Sequence, residues 1–345
     1  MSTDQRRQCL LPALVSSCVI LATIACAGGA TQAPSTAGPQ VGATESSPPE
    51  PATPTAAEEP TPAQLPPLPE PLYLGDTDLA SGYSLTALAI WDPATPGMYY
   101  EPQSGRRLVA VELAVGNVSG DPLSVNPLYA SLVDAEGYVY EVDVLGLDSS
   151  ILPAIDALPG ERVRGWVAFT IPDAAVPASV KYQADLFGEE VLQVGLAAPP
   201  EGYTSSTPPW TPLSLMGLPL LGQSDQRYGY SFTAIAVEDP SAPGMFYEAP
   251  AGHKLVAVEV ELANESGEVL SVSPSNAILI DSDGYLYTAE LGGRDDLLAY
   301  VDIGQGERVR GWLAFTVPET SVPASVRFLT QVFGSAYLQV GLSSP

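Results

Sequence analysis

Two short segments carry the most suggestive chemistry in the chain: Arg162, Arg164 and Trp166, and, in the same order, Arg308, Arg310 and Trp312. A guanidinium grips carboxylates in a planar fork and stacks on π-systems, and an indole offers a broad flat face. Residues spaced two apart on a strand point the same way, so each segment predicts an Arg–Trp face suited to ligand binding. On the same spacing, the arginine stems can instead cover the indole while their heads pair with nearby acids. A bulge at Gly165 or Gly311 would turn the indole inward. A second contact surface is predicted at the loops carrying Tyr99-Tyr100 and Phe246-Tyr247, because aromatic-rich loops at the end of a sandwich make binding surfaces. Their other reading is a lid over the core.

Catalytic chemistry has little to work with. The chain has 1 His and 3 Cys. The cysteines are Cys9, Cys18 and Cys26, so the remainder of the chain lacks thiols, disulfides and cysteine metal sites. His253 stands where the matching residue of the other segment is Arg106. A Ser-His-Asp or Cys-His triad present in both segments is therefore excluded, as is a zinc site with two histidines. His253 follows Gly252 in an expected turn and reads as a surface residue. Among the carboxylates, Asp281 and Asp283 before Gly284 resemble part of a calcium loop, but the full Asp-x-Asp-x-Asp-Gly pattern is missing and a hairpin turn is the expected role. Glu141, Asp143 and Asp148, with Glu290, Asp295 and Asp296, leave a weak calcium site as the alternative to no cofactor at all. Nothing singles out the two opposed carboxylates of a glycosidase. The expectation is a protein that is not an enzyme.

Charge narrows the partners. Asp and Glu total 40 against 13 Lys and Arg, a formal net charge of −27. Such a surface repels phosphate backbones, which excludes nucleic acid, and it gains nothing from anionic lipid headgroups. Cations or a basic partner are favoured, and solubility is the plainest reason for the charge.

The elements that must position these residues come in duplicate. Gly82-Tyr83-Ser84 recurs as Gly229-Tyr230-Ser231, Pro96-Gly97-Met98 as Pro243-Gly244-Met245, and Leu108–Glu112 as Leu255–Glu259, each offset by 147. Beyond a one-residue deletion the offset is 146, and Gly160–Tyr182 matches Gly306–Phe328 at 16 of 23 positions. Repeats are therefore expected at 72–198 and 218–345, joined at 199–217 by a short, proline-rich, semi-stiff linker. Within each, the apolar period is two: Val109, Val111, Leu113 and Val115 in the first copy, Val256, Val258, Val260 and Leu262 in the second. That is the signature of a strand with one face in a core. Asp134-Ala135-Glu136-Gly137 and Asp281-Ser282-Asp283-Gly284 read as hairpin turns with glycine in the left-handed position. No run of 12 or more residues has a clean helical period. Short strands with regular turn signals predict an all-β chain of two tandem immunoglobulin-like antiparallel sandwiches.

The motifs also carry a resemblance. Asn117 and Asn264 end a strand, Asp-x-x-Gly-Tyr makes a hairpin, and Gly-Glu-x-Val-x-Gly-x-x-x-Phe-x-x-Pro spans Gly160–Pro172 and Gly306–Pro318. The set resembles a bacterial family of domains of unknown function whose members are often lipoproteins and whose fold is similar to the immunoglobulin-like mycobacterial secreted immunoprotective antigen. It covers both repeats. It implies the fold and says little of activity, because the family has no agreed biochemical function.

The first segment reads as an address. Arg6 and Arg7 precede an apolar run from Leu10 to Ala25, as in a signal peptide over 1–25. Thr23-Ile24-Ala25-Cys26 resembles the lipobox of bacterial lipoproteins, with Thr23 where leucine is usual, and the resemblance implies lipidation of Cys26; the alternatives are ordinary secretion with cleavage near Ala25 or Ala30, or an uncleaved anchor helix. Two acyl chains on that cysteine would anchor the protein without a basic patch. Residues 26–70, rich in Pro, Ala and Thr, cannot bury enough apolar surface to fold and are expected to form a disordered tether. The expected function is a non-enzymatic binding or adhesion module on the outer face of the cell membrane (or the outer membrane of a diderm), with a protein or glycan ligand. The alternatives are a structural or accessory subunit of an envelope or transport complex and, last, a carboxylate- or calcium-dependent hydrolase.

Overall fold

A computed structural model describes residues 72–148, 150–184, 190–205, 210–211, 214–245, 247–330 and 336–343. The signal segment, Cys26, the tether and Phe246 lie outside these. Both repeats belong to one compact unit, 66–345. The first copy contains β1 (Thr77–Ala80), β2 (Tyr83–Trp91), β3 (Arg106–Asn117), β4 (Leu123–Val125), β5 (Ala130–Asp134), β6 (Val139–Glu141), β7 (Ile155–Ala157), β8 (Arg162–Pro172), β9 (Pro177–Gln183) and β10 (Val191–Gly195). The second repeats the series as β11 (Ser224–Arg227), β12 (Tyr230–Glu238), β13 (His253–Asn264), β14 (Leu270–Val272), β15 (Ala277–Asp281), β16 (Tyr285–Thr288), β17 (Val301–Ile303), β18 (Arg308–Pro318), β19 (Pro323–Leu329) and β20 (Tyr337–Gly341).

Each copy is a sandwich. In the first, β1-β2-β3-β8 faces β10-β9-β5-β6, and Val109, Val111, Leu113 and Phe169 of one sheet meet Leu132, Val180, Tyr182 and Leu192 of the other in a single buried cluster. The second copy packs β11-β12-β13-β18 on β16-β15-β19-β20 around Phe232, Val258, Phe315, Leu279 and Phe328. The period-two valines thus turn inward, as their alternation predicts. One expectation needs correcting: β3 is not half-buried. From Leu108 to Asn117 every residue is buried, because loops cover its outer face as well. Ala110 and Leu108 lie under Ala94, with Tyr100, Leu147 and Trp166 packed against them.

The turns follow their chemistry. Asp134 Oδ1 accepts from the N–H groups of Glu136 (3.0 Å) and Tyr138 (2.8 Å), and Oδ2 accepts from the Tyr140 hydroxyl at 2.7 Å. Asp281 does the same for Asp283, Tyr285 and Tyr287. These aspartates are hairpin residues, as expected, with Gly137 and Gly284 at positive φ. Asn117 is buried at the end of β3, donating to the carbonyls of Asp121 (2.7 Å) and Ala157 (2.8 Å) while its own oxygen accepts from Ser119. Asn264 repeats the arrangement. Both asparagines therefore close a strand-ending turn.

The copies are joined by more than the linker. β8 and β16 pair in parallel, Arg162 opposite Tyr285 and Val163 opposite Leu286, fusing two four-stranded sheets into one of eight. This parallel pair departs from the wholly antiparallel expectation. It is possible because β8 and β16 each end a sheet within their own copy. The outer face of β15 and β16 is buried with it: Ile278, Ile280 and Leu286 join the apolar cluster of the first copy, while Ala277 and Leu279 face their own core. A buried ion pair crosses the joint from Arg327 on β19 to Glu161, and Glu161 also accepts from the N–H of Leu158 at 2.8 Å.

Candidate functional site

The six Arg–Trp residues do not form two equivalent faces. The register of β3 with β8 runs unbroken from Arg106 to Gly116, so no bulge turns Trp166 inward. Gly165 serves a different purpose. The segment 150–152 crosses β8 so closely that a Cβ at Gly165 would stand 2.4 Å from Leu152 Cα; at Gly311 the corresponding distance to Leu298 Cα is 2.6 Å. Trp166 is bracketed there, its N–H donating to Ser150 O at 2.8 Å and its carbonyl accepting from Leu152 N at 2.9 Å.

The arginine heads do pair with acids, but the indoles are covered by other residues. Arg164 Nε donates to Glu112 Oε1 at 2.6 Å. Burial opposes its charge, yet the bond and charge of Glu112 outweigh that and raise its pKa above the ordinary arginine value. Arg310 pairs with Glu259 at 2.8 Å and Arg308 with Glu261 at 3.3 Å, both on the surface. Arg162 is not part of an open face. It lies 4.0 Å over the Tyr285 ring and 4.9 Å from Trp210 of the linker, with Nε donating to Asp283 O, and so belongs to the joint between copies. Trp166 packs edge-to-face on Trp91, 6.2 Å between centroids, whereas Trp312 lies beneath the Arg294 guanidinium at 4.3 Å. The divergence follows from two substitutions between copies, Trp91 for Glu238 and Leu147 for Arg294. Glu238 and Asp296 hold Arg294 in place.

The aromatic loops divide likewise. Tyr99 is 91% exposed. Tyr100 is a lid residue, its hydroxyl bonded to Asp143 and Thr170, and Tyr247 bonds Thr316. Asp148 clamps the first loop by accepting from Met98 N at 2.6 Å, and a Cβ at Gly97 would meet its carboxylate at 2.5 Å. Of the acids considered for calcium, Asp143, Asp148, Asp295 and Asp296 are engaged with separate partners, and among the described residues no three His, Cys, Asp or Glu gather as a metal site.

What the tertiary structure brings together is a cleft of about 520 Å³ between the copies. Arg164, Glu112 and Trp166 form one wall, with Asp148 and Ser150 beside them. Tyr247, Glu248, His253, Tyr287 and Glu290 of the second copy form the other. Four carboxylates line it against one guanidinium and one imidazole. His253, read as a plain surface residue, is placed in this lining, and Arg308, Arg310 and Trp312 are not. Sequence reasoning had named Tyr247 as a contact residue, Glu290 among the acids and His253 as a surface residue, but it missed Glu248 and Tyr287 and that all of these face Arg164 and Trp166, since only docking brings β16 and the 247–253 loop to β8.

Comparisons with known proteins follow the duplication. The family model described as "Domain of unknown function (DUF4352)" matches twice, over 74–192 and 220–337. No curated protein matches the chain. Among solved structures, a lipoprotein candidate (ycdA) from Bacillus subtilis is similar at 14% identity and TM-score 0.31, over 34% of this chain and 38% of that one. The secreted protein MPT63 of Mycobacterium tuberculosis is similar at 15% identity and TM-score 0.31, over 37% of this chain and 99% of its own. An uncharacterized β-sandwich protein from Clostridium difficile shows 14% identity and TM-score 0.25, over 36% of this chain and 92% of its own. With both repeats matched, more than half the chain in all, the protein belongs to the DUF4352 family.

Proposed function

We propose that this is a non-enzymatic binding module, exported and held at the cell surface by lipid on Cys26, whose ligand position is the cleft between its two copies. The single observation that carries the reading is the meeting of Trp166 and the Arg164–Glu112 pair with an acidic second wall in one cavity of about 520 Å³, a volume in the range of small-ligand sites. An indole edge supplies stacking area, and an excess of carboxylates favours a neutral or positively charged group. A glycan or a basic peptide side chain fits both demands; a phosphate or an acidic chain does not. The sandwiches supply rigidity.

The test is retention of the protein on immobilised neutral glycans, amino-sugar polymers and basic peptides, repeated with Trp166→Ala and Glu290→Gln. Loss of an indole stacking partner should weaken retention about tenfold or more. Binding undiminished in both variants, or no retention at high micromolar concentration, would remove the cleft from consideration. The lipid anchor is checked separately, by the mass of the mature N-terminal peptide.

A further inference from the structure

The joint inside the chain uses one edge of each copy, β8 of the first and β16 of the second. Because the copies are the same domain written twice, each also owns the other's edge. Those two remaining strands, β18 of the second copy and β6 of the first, end their sheets among the described residues. We propose that they pair with each other between molecules. The second repeat of one chain would dock on the first repeat of the next, head to tail, in the geometry the copies already adopt within a chain.

The residues that make the internal joint recur at the two free edges. Within the chain, Arg162 N donates to Gly284 O at 2.9 Å and its guanidinium covers Tyr285. The equivalents are Arg308, Gly137 and Tyr138. Tyr138 is 63% exposed and Val139, equivalent to the buried Leu286, is 58% exposed. Apolar and aromatic side chains on an unprotected edge strand invite another strand. The buried pair Glu161–Arg327 has as its equivalents Glu307 and Lys181, of the same respective signs. Neither Glu307 nor Lys181 has an ion-pair partner among the described residues, and they lie in different copies, where only a second molecule brings such positions together.

The intermolecular joint must be the weaker one. Ser131, Val133 and Glu141 replace Ile278, Ile280 and Thr288, so less apolar surface is buried. Arg308 must also leave Glu261, whereas Arg162 has Ala114 opposite the corresponding position. Weak pairing suits a protein that concentrates on a membrane. The contact joins two different patches and does not close on itself, so it builds an open row of molecules.

The experiment is sedimentation velocity of the full chain in detergent, from low to high micromolar concentration, for wild type, Lys181→Glu and Glu307→Lys. Wild type should sediment faster with concentration. Each variant alone opposes like charges at every junction and should associate at least about tenfold more weakly. Mixing the two variants pairs opposite charges at every junction and should restore association to about the wild-type level. Recovery on mixing also shows that neither variant is misfolded. A wild type that stays single across the range, single variants that associate as well as wild type, or a mixture that fails to recover would each overturn the proposal.

Discussion

Replacing Arg327 by methionine removes one half of the ion pair that locks the copies together, and its cost follows from where the pair lies. Arg327 is 2% exposed and Glu161 0%. Without the guanidinium, Glu161 keeps one described donor, the Leu158 N–H. An uncompensated buried carboxylate of this kind costs about 3–5 kcal/mol. The loss is capped by the strength of the joint itself, since separation of the copies would let Glu161 reach water; beyond that cap the two sandwiches unfold in separate steps. Urea unfolding followed by tryptophan fluorescence, at a concentration that keeps molecules apart, reads both outcomes. With slopes of about 1–3 kcal/mol/M, the midpoint should fall by about 1 M or more, or the transition should split. The duplication supplies the control: Lys181→Met, at the equivalent position, should stay within about 0.5 kcal/mol of wild type. The double variant Glu161→Leu, Arg327→Met should recover most of the loss, because an apolar pair of similar volume does not strand a charge. If Arg327→Met melts like Lys181→Met, the charge is not buried at a joint and the docked arrangement is wrong.

Two further outcomes are expected. Gly165→Ala and Gly311→Ala place a methyl group 2.4 and 2.6 Å from backbone carbon and should each cost about 1–3 kcal/mol in thermal unfolding. Gly120→Ala and Gly267→Ala, which meet open space, should cost less than about 0.5 kcal/mol; equal melting of all four would refute the close crossing over β8 and β18. Alkaline titration should reveal held phenols: burial and the bond to Asp134 push Tyr140 up to about 12, and burial drives Tyr182 and Tyr287 higher still. The native state thus retains protons that the unfolded chain releases near pH 10, so this stabilisation is complete below that pH and lost as pH rises through about 12. Absorbance at 295 nm should show a late fraction of tyrosines ionising together with unfolding, and ionisation of all 16 near pH 10 without unfolding would contradict it.

Much of the fold was written locally. Alternating Val109, Val111, Leu113 and Val115 needed only the period of a strand to turn inward, and the Asp–Gly hairpins and Asn117 and Asn264 turns needed only side chains that bond their own backbone. The duplication followed from offsets alone. The candidate site was legible in pieces: Arg164 and Trp166 were read from spacing and Tyr247 from its aromatic loop, while their meeting across one cleft was not. Whether Trp166 meets Trp91 or Trp312 meets Arg294 is decided by positions more than fifteen residues away in sequence. One signal for docking was present. Ala277–Ile280 is continuously apolar where Ser131 interrupts Ala130–Val133 of the first copy. A continuous run, however, is compatible with several kinds of buried strand, and it names no partner. The sequence by itself determined two sandwiches, because a period and a turn are properties of neighbouring residues. The tertiary structure alone decided that they share a sheet, bury Glu161 against Arg327 and enclose a cleft, because burial of an outer face depends on which surface arrives to cover it.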